Sequence, residues 1–414
     1  MNGVPVDINS FPTMATDAFG RLRVSQPITL FDSFHRFQDN GKISEYTSNN
    51  AYSYHNSNAG CIFMVVGSNV GDRIYRESSR VFTYQPGKSL LILQSYCMNK
   101  ATVGLRQRQG FFDTYNGVYI QMSGTDLAFV RRSSVSGTVK ETVVLQDDWN
   151  FDKMKGNGPS RRILDMNNVQ IMFTDIEWLG AGSVRMGFVI DGKFYVCHIF
   201  NHSNRESTEF SDSTLPYMTT SCLPVRAELE NINNTGIIST YHIICSSVIT
   251  EGGYELHGRM RSVGYSTLDA PKILPIKNTL YPVVAIRLKA NRLGGVVIPI
   301  EINVIGTVSS DYRWALVSNP TLSGGAGWVS AGSDSCIEYM LDATNAITDG
   351  TILRMGYFTS TNTVSSSVTL NGHNLRFQLE RNSFTGTAFP LVLAVAGKKD
   401  SDTVLGCIDF EEIT

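Results

Sequence analysis

The sequence predicts an all-β protein in which an extended N-terminal arm is followed by two antiparallel β-sandwiches. Short apolar runs alternate with clusters of Gly, Pro, Asn, Asp and Ser along most of the chain, which is typical of sandwich folds. Apolar residues at helical spacing are hard to find. The chain has 414 residues, a length that suits two domains better than a single core.

Residues 1–40 lack the alternation of a sheet and carry isolated aromatic residues in a polar segment that contains prolines. Residues that precede proline favour extended backbone. We expect an arm that lies across a partner surface and is held there by its side chains. Such a segment could reach about 130 Å when fully extended. The alternative is an N-terminal strand of the chain's own first domain.

Residues 41–268 are predicted to form the first sandwich, of the jelly-roll or concanavalin-A-like type. Asp191-Gly192 is the strongest hairpin signal, because this dipeptide favours the tight turn that joins two twisted strands. The apolar runs that predict strands are 61–66, 89–96, 118–122, 127–130, 169–173, 184–190, 193–200 and 241–249.

Residues 269–275 contain two prolines and are predicted to be a stiff linker. From residue 276 to residue 414 the strand pattern restarts, which predicts a second and smaller sandwich. Its predicted strands are 283–288, 296–304, 314–317, 337–341, 364–370, 391–396 and 404–410.

Composition argues against several classes of function. Charged residues make up 17% of the chain, whereas about 25% is typical of soluble domains. The net charge of −2 gives no overall attraction to nucleic acid or to an anionic membrane. The sequence contains no run of about 18 apolar residues, so no membrane span is predicted. Seven cysteines without CxxC spacing are expected to be mostly buried free thiols, which favours assembly in a reducing compartment.

Asp175 and Glu177 are the strongest catalytic candidates. Residues i and i+2 of a strand share one face, and paired carboxylates carry out glycoside hydrolysis. The third acidic residue expected shortly downstream is missing, because Trp178 to Gly182 contains none. We therefore expect a polar pair at a strand end and predict no catalytic residues.

Cys197, His198 and His202 have the side chains of zinc ligands. Zinc needs three or four convergent ligands, whereas Cys197 and His198 should point to opposite faces of one strand. Asp147-Asp148 and Asp400-Ser401-Asp402 are expected to be solvated loops rather than calcium sites. Motifs for a serine nucleophile or a phosphate-binding loop are absent. We therefore predict no metal and no cofactor.

Aromatic side chains of the first domain could bind sugars by stacking. The candidates for a glycan-facing role are Tyr115, Trp149 and Trp178, with Tyr119 as a fourth aromatic residue nearby in sequence. Packing in the core or in a hairpin explains each of them equally well.

Several motifs carry a likeness to a known family. Asp17–Pro27, continuing through Leu30–Ser33, resembles the N-terminal signature of structural proteins from large tailed bacteriophages and related viruses. Trp178–Phe188, Cys197–His202 and Arg381–Thr387 resemble the same group. The resemblance implies a virion component of the capsid, tail or fibre, and it implies no catalytic residues.

We therefore expect a non-enzymatic virion structural protein that contacts other virion proteins and forms a homo-oligomer, with a trimer as one candidate. Assembly would take place in the host cytoplasm. The arm residues expected to dock on a partner are Phe19, Arg21, Leu22, Arg23, Phe31 and Phe34. The alternative is a carbohydrate-binding protein that engages host-surface glycans through the first sandwich. A third hypothesis is a glycan hydrolase that uses Asp175 and Glu177.

Overall fold

The computed structural model describes residues 26–203, 214–253, 257–325, 327–361, 366–369 (backbone only) and 377–413. It confirms the all-β class. Within these residues the helical structure is limited to two 3₁₀ turns, Gln146–Asp148 and Ala290–Arg292. No helix in the described part of the chain is long and apolar enough to cross a membrane.

The first sandwich consists of fifteen strands in two antiparallel sheets. They are β1 (Ile28–Phe34), β2 (Ile43–Ser48), β3 (Ala51–Asn56), β4 (Cys61–Val66), β5 (Arg73–Ser78), β6 (Ser89–Cys97), β7 (Leu105–Phe112), β8 (Gly117–Ser123), β9 (Asp126–Ser133), β10 (Lys140–Leu145), β11 (Gln170–Ile176), β12 (Val184–Ile190), β13 (Lys193–Phe200), β14 (Val225–Asn231) and β15 (Ser239–Glu251). The eight-stranded sheet has the order β13-β12-β11-β6-β15-β4-β3, with β1 paired to β15. The seven-stranded sheet has the order β10-β9-β8-β7-β14-β5-β2.

Side-chain alternation in β6 shows how the sequence assigns the two faces of the eight-stranded sheet. Leu90 and Ile92 are buried against the other sheet, whereas Leu91 and Leu93 are only partly covered on the outside. Successive residues of a strand point to opposite faces, so this pattern applies to the neighbouring strands through their register. The outer face of this sheet is therefore available to a ligand.

The structure corrects the predicted arm for its C-terminal part. Residues 28–34 form β1, which pairs with β15 of the same chain. Phe31 is 2% exposed and packs against Phe82 in the core, with ring centroids 4.9 Å apart. An edge strand of the chain's own sheet buries this apolar ring without a partner. Phe31 is therefore a core residue, whereas Phe19, Arg21, Leu22 and Arg23 lie outside the described residues.

The second sandwich also has two antiparallel sheets. Its strands are β16 (Arg259–Gly264), β17 (Lys272–Leu274), β18 (Tyr281–Leu288), β19 (Val296–Gly306), β20 (Ser310–Ser318), β21 (Val329–Ser330), β22 (Ile337–Leu341), β23 (Thr351–Ser360), β24 (Ser366–Thr369), β27 (Leu391–Gly397) and β28 (Asp402–Ile413), and a separate hairpin is formed by β25 (Arg381–Asn382) and β26 (Thr387–Ala388). One sheet has the order β16-β28-β19-β24, with β17 beside β28, and the other has the order β21-β22-β18-β27-β20-β23.

The linker predicted at 269–275 and the domain boundary at 268 lie too late in the chain. β16 and β17 both pair with β28, the last strand of the second sandwich. Residues 259–274 therefore belong to the second sandwich. The prolines at 271 and 275 flank β17, where they end a short strand rather than separate two domains.

The β25–β26 hairpin connects the two sandwiches, because it lies against β5 of the first. The Arg381 guanidinium forms an ion pair with Glu77 at 3.1 Å and donates to the Ser78 carbonyl at 3.1 Å. Ser383 donates to the same carboxylate at 2.7 Å, and Arg226 forms an ion pair with it at 2.9 Å. These charges are buried and paired, as charges inside proteins generally are. The hairpin therefore joins the sandwiches through a buried ionic cluster.

All seven cysteines are free thiols. Cys61, Cys197 and Cys336 are buried, as expected of small apolar side chains. Cys245 is exposed on the outer face of the eight-stranded sheet, which the sequence did not indicate.

Candidate functional site

An open cleft of about 670 Å³ lies at one end of the outer face of the eight-stranded sheet. Charged side chains from β6, β11, β12 and β15, or from residues beside them, converge on it. They are Lys88, Asp175, Glu177, Arg185 and Glu251. The aromatic ring of Tyr84 and the hydroxyls of Ser89 and Ser183 also line the cleft.

Each carboxylate of the cleft already has a protein partner. Asp175 forms an ion pair with Arg185 on the neighbouring strand. Glu177 accepts a hydrogen bond from the Ser183 hydroxyl at 3.1 Å, and Glu251 accepts one from Ser89 at 2.9 Å. These contacts fix the positions of the acceptor oxygens, so a ligand would meet a preorganised set of hydrogen-bonding groups.

Burial raises the pKa of Asp175, and the ion pair with Arg185 opposes this shift. The carboxylates of Glu251 and Glu177 raise this pKa further. The negative charges of the cleft thus repel one another, which disfavours a further anion from solution. The arrangement suits groups that donate hydrogen bonds.

An apolar groove of about 310 Å³ lies further along the same face. Phe34, Leu93, Ile171 and Cys245 are among the residues that line it. The first three are apolar residues at outward positions of β1, β6 and β11, and β15 with Cys245 lies between β1 and β6. The groove can bury apolar surface of a ligand or of a partner.

A row of aromatic side chains lies across β3, β4 and β15 at the other end of the face. Tyr54, Phe63 and His242 occupy paired positions on adjacent strands. The Tyr54 and Phe63 rings are 5.2 Å apart with an interplanar angle of 13°, and the Phe63 and His242 rings are 4.0 Å apart. Tyr52 and Tyr54 are 55% and 45% exposed. Exposed tyrosines with an apolar ring and a polar tip can bind sugars.

Strand β15 connects these three features on one face. His242 belongs to the aromatic row, Cys245 and Ser247 line the groove, and Glu251 lines the cleft. His242 and Glu251 are nine residues apart along the strand, which corresponds to about 30 Å at strand rise. We call this surface, from Tyr52 to Glu251, the long face.

The structure separates the three aromatic residues that were predicted to face a glycan. Trp149 is 2% exposed and stacks on Phe129 in the core, with ring centroids 4.3 Å apart. The prediction that Trp149 faces a glycan is therefore wrong. Trp178 packs edge-on against Tyr84, behind the cleft, and contacts the core. Tyr115 is 60% exposed, but it lies in the turn between β7 and β8 of the other sheet. Tyr119 is fully buried under Arg108 and Arg132.

Cys197, His198 and His202 do not converge. Cys197 is buried in the core, and the His198 Nδ1 accepts the Asn150 backbone N–H at 3.3 Å. Burial lowers the pKa of His198 to about 4. His202 stacks on Tyr217 at 3.7 Å. Within the described residues, no group of three or more potential ligands is arranged for a metal ion.

Sequence reasoning missed Glu251, Lys88 and the aromatic row. The third acid of the cleft comes from β15, more than seventy residues after Glu177, so no local search could find it. Tyr52-Ser53-Tyr54 did contain a signal, because two tyrosines at i and i+2 in a strand share one face.

No protein-family model matches the sequence, and no curated protein matches it. Among solved structures, the chain is similar to a β-glucanase of Bacillus licheniformis, with 14% identity and a TM-score of 0.34 over 55% of this chain and 98% of that one. It is also similar to the CBM2 module of the evolved Dit of Lactobacillus casei BL23 phage J-1, with 8% identity and a TM-score of 0.33 over 56% and 100%. The carbohydrate recognition domain of Emp47p is similar as well, with 9% identity and a TM-score of 0.34 over 56% of this chain and 98% of that one. At these TM-scores the likenesses carry no argument about function.

Proposed function

We propose that the protein binds a glycan along the long face of the first sandwich, and that it does so without catalysis. The observation that carries this proposal is the continuity of the face. One surface about 30 Å long, by the rise of a strand, joins exposed tyrosines, an apolar groove and a polar cleft. Sugar polymers present the matching chemistry, since each ring has an apolar face and a rim of hydroxyls.

The charges of the cleft select among glycans. Asp175, Glu177 and Glu251 outnumber Lys88 and Arg185, so the cleft has a net negative charge. Ionised carboxylates only accept hydrogen bonds, and sugar hydroxyls can donate them. We therefore expect neutral glycans to bind and acidic glycans to be repelled.

Substitution at either end of the long face tests this proposal. Tyr54→Ala and Glu251→Gln should each weaken binding of a neutral glycan about tenfold or more, because each removes one contact worth about 1.5 kcal/mol. Glycan-array binding of the full chain, followed by calorimetric titration, measures the effect. Asp126→Asn, in an exposed turn of the other sheet, serves as the control and should bind like the parent protein. Full binding by both end variants would contradict the proposal.

The absence of catalysis is tested on the same ligands. Asp175 is held by Arg185 and Glu177 by Ser183, so both carboxylates already have a partner. We expect no new reducing ends after prolonged incubation with a bound glycan. Release of reducing ends that Glu177→Gln abolishes would establish the hydrolase instead.

A virion structural role is the second candidate, and an exposed sheet edge favours it. β10 pairs only with β9 within the described residues, so its other edge is unpaired. Val143 and Leu145 on this strand are both exposed. Unpaired edges with apolar side chains are sites at which another chain can add a strand. Virion partners and a homo-oligomer would both fit this edge.

Light scattering on the purified chain tests whether the unpaired edge of β10 makes an assembly contact. If β10 makes the assembly contact, Val143→Lys should dissociate the oligomer, because it places a charge in an apolar contact. Val139→Lys, just outside the strand, is the matched control and should leave the mass unchanged. A parent protein that is monomeric, alone and with disrupted virions, would rule out this candidate.

A further inference from the structure

The second sandwich carries a cleft that is independent of the long face. It lies on the outer side of the six-stranded sheet, where β20, β23 and β27 are neighbours. Part of this outer side is covered, because Leu322, Trp328 and Ile347 of the connections around β21 and β22 pack on it. The rest forms an open cleft of about 590 Å³.

Arg313 is one of the residues that line this cleft. It lies on β20, between Tyr357 of β23 and Ala396 of β27 in the sheet register. Its guanidinium makes no ion pair or side-chain hydrogen bond with any residue that the structure describes. The other cation of the cleft, Lys398, forms an ion pair with Asp311 at 2.5 Å. Arg313 is thus the cation that remains available to a ligand.

The surroundings of Arg313 suit a flat, hydroxyl-rich molecule. Tyr357 is 71% exposed beside it, so its ring can pack on the apolar face of a sugar. Ala396 and Gly397 keep the base of the cleft shallow. The hydroxyl of Thr359 and the amide of Asn278 line the rim and can bond to sugar hydroxyls.

We propose that this cleft binds an acidic saccharide, with its carboxylate on Arg313 and a ring face on Tyr357. The planar guanidinium matches a carboxylate in a two-point hydrogen-bonded pair. The formal charges of Arg313, Lys398 and Asp311 leave one positive charge in the cleft. The preference is thus opposite to that of the long face, and the two sites would bind different glycans.

The test titrates the full chain with sialyllactose, tetragalacturonate and a hyaluronan tetrasaccharide, each beside its neutral counterpart. At least one acidic ligand should bind more tightly than its counterpart. Arg313→Gln should weaken that binding about tenfold or more, since it removes a charge-assisted pair. Tyr357→Ala should weaken it as well. Arg161→Gln, an exposed arginine of the first sandwich, makes the same change of charge elsewhere and should have no effect.

Thermal unfolding of each variant shows whether it is folded, and Arg313→Lys separates charge from geometry. Weaker binding of the acidic saccharide by Arg313→Lys than by the parent protein supports the two-point pair between guanidinium and carboxylate. The proposal is overturned if no acidic ligand is preferred, if Arg313→Gln binds normally, or if inorganic phosphate competes as well as the saccharide. Glu251→Gln should not change this binding, so failure here and failure of the long face can be told apart.

Discussion

Replacing Arg381 by alanine should lower the free energy of unfolding by about 3–5 kcal/mol, because it leaves a buried carboxylate without one of its partners. Arg381 is 5% exposed and Glu77 is 1% exposed. Burial lowers the pKa of Arg381, and the nearby Glu77 opposes the shift. The hairpin would also lose its hydrogen bond to the Ser78 carbonyl. Urea unfolding followed by tryptophan fluorescence measures the change.

Arg259→Ala is the matched control for this effect. Arg259 also forms an ion pair, with Asp334, but both side chains are largely exposed. Exposed ion pairs contribute about 0–1 kcal/mol. A loss of stability for Arg381→Ala no larger than that for Arg259→Ala would show that the hairpin does not hold the sandwiches together.

Replacing Trp149 by alanine should cost about 3–5 kcal/mol of stability, because it leaves a large cavity in the core. The ring stacks on Phe129 with centroids 4.3 Å apart, and its Nε1 donates to the Val144 carbonyl at 3.2 Å. The donor and the ring would both be lost. The midpoint of urea unfolding should fall accordingly, while glycan binding by the fraction that remains folded should be unchanged.

Tyr115→Ala provides the comparison among the aromatic residues singled out from sequence. This ring lies in a surface turn, and surface changes of this kind usually stay within about 0.5 kcal/mol. Equal stability of Trp149→Ala and Tyr115→Ala would contradict the placement of Trp149 in the core.

Apolar strands of the fold could be predicted closely from sequence. β4, β12, β13 and β22 have the predicted bounds, and the Asp191-Gly192 turn joins β12 to β13 as expected. These segments bury a continuous apolar run or have a strong turn signal, so local information is sufficient.

Strands β5, β7 and β14 were not predicted, because arginine and glutamate interrupt their apolar pattern. Arg108 and Glu228 are buried and form an ion pair at 3.1 Å, with Arg108 also stacked over Tyr119. Arg108 and Glu228 meet only through the pairing of β7 with β14, and Glu77 of β5 meets Arg381 only through the hairpin of the second sandwich. Charges in a single sequence indicate solvent exposure, and only the folded chain shows that they are covered.

The motifs that resemble virion proteins have varied places in the structure. Trp178–Phe188 contains Ser183 and Arg185 of the cleft, and Arg381–Thr387 forms the hairpin between the sandwiches. Leu30–Ser33 lies in β1, whereas Asp17–Ser25 lies outside the described residues. The residues of Trp178–Phe188 and Arg381–Thr387 therefore have roles within the chain itself, in the cleft and in the hairpin, that do not depend on any assembly.

The dependence of affinity on glycan length tests the long face most directly. The neutral glycan that the array identifies would be titrated into the full chain as a series of oligosaccharides of increasing length. The account predicts affinity that rises until the ligand spans about 30 Å, the length set by strand rise between His242 and Glu251. Longer ligands should then bind no more tightly. Absence of binding at every length, or equal affinity for the shortest and longest oligosaccharides, would contradict it.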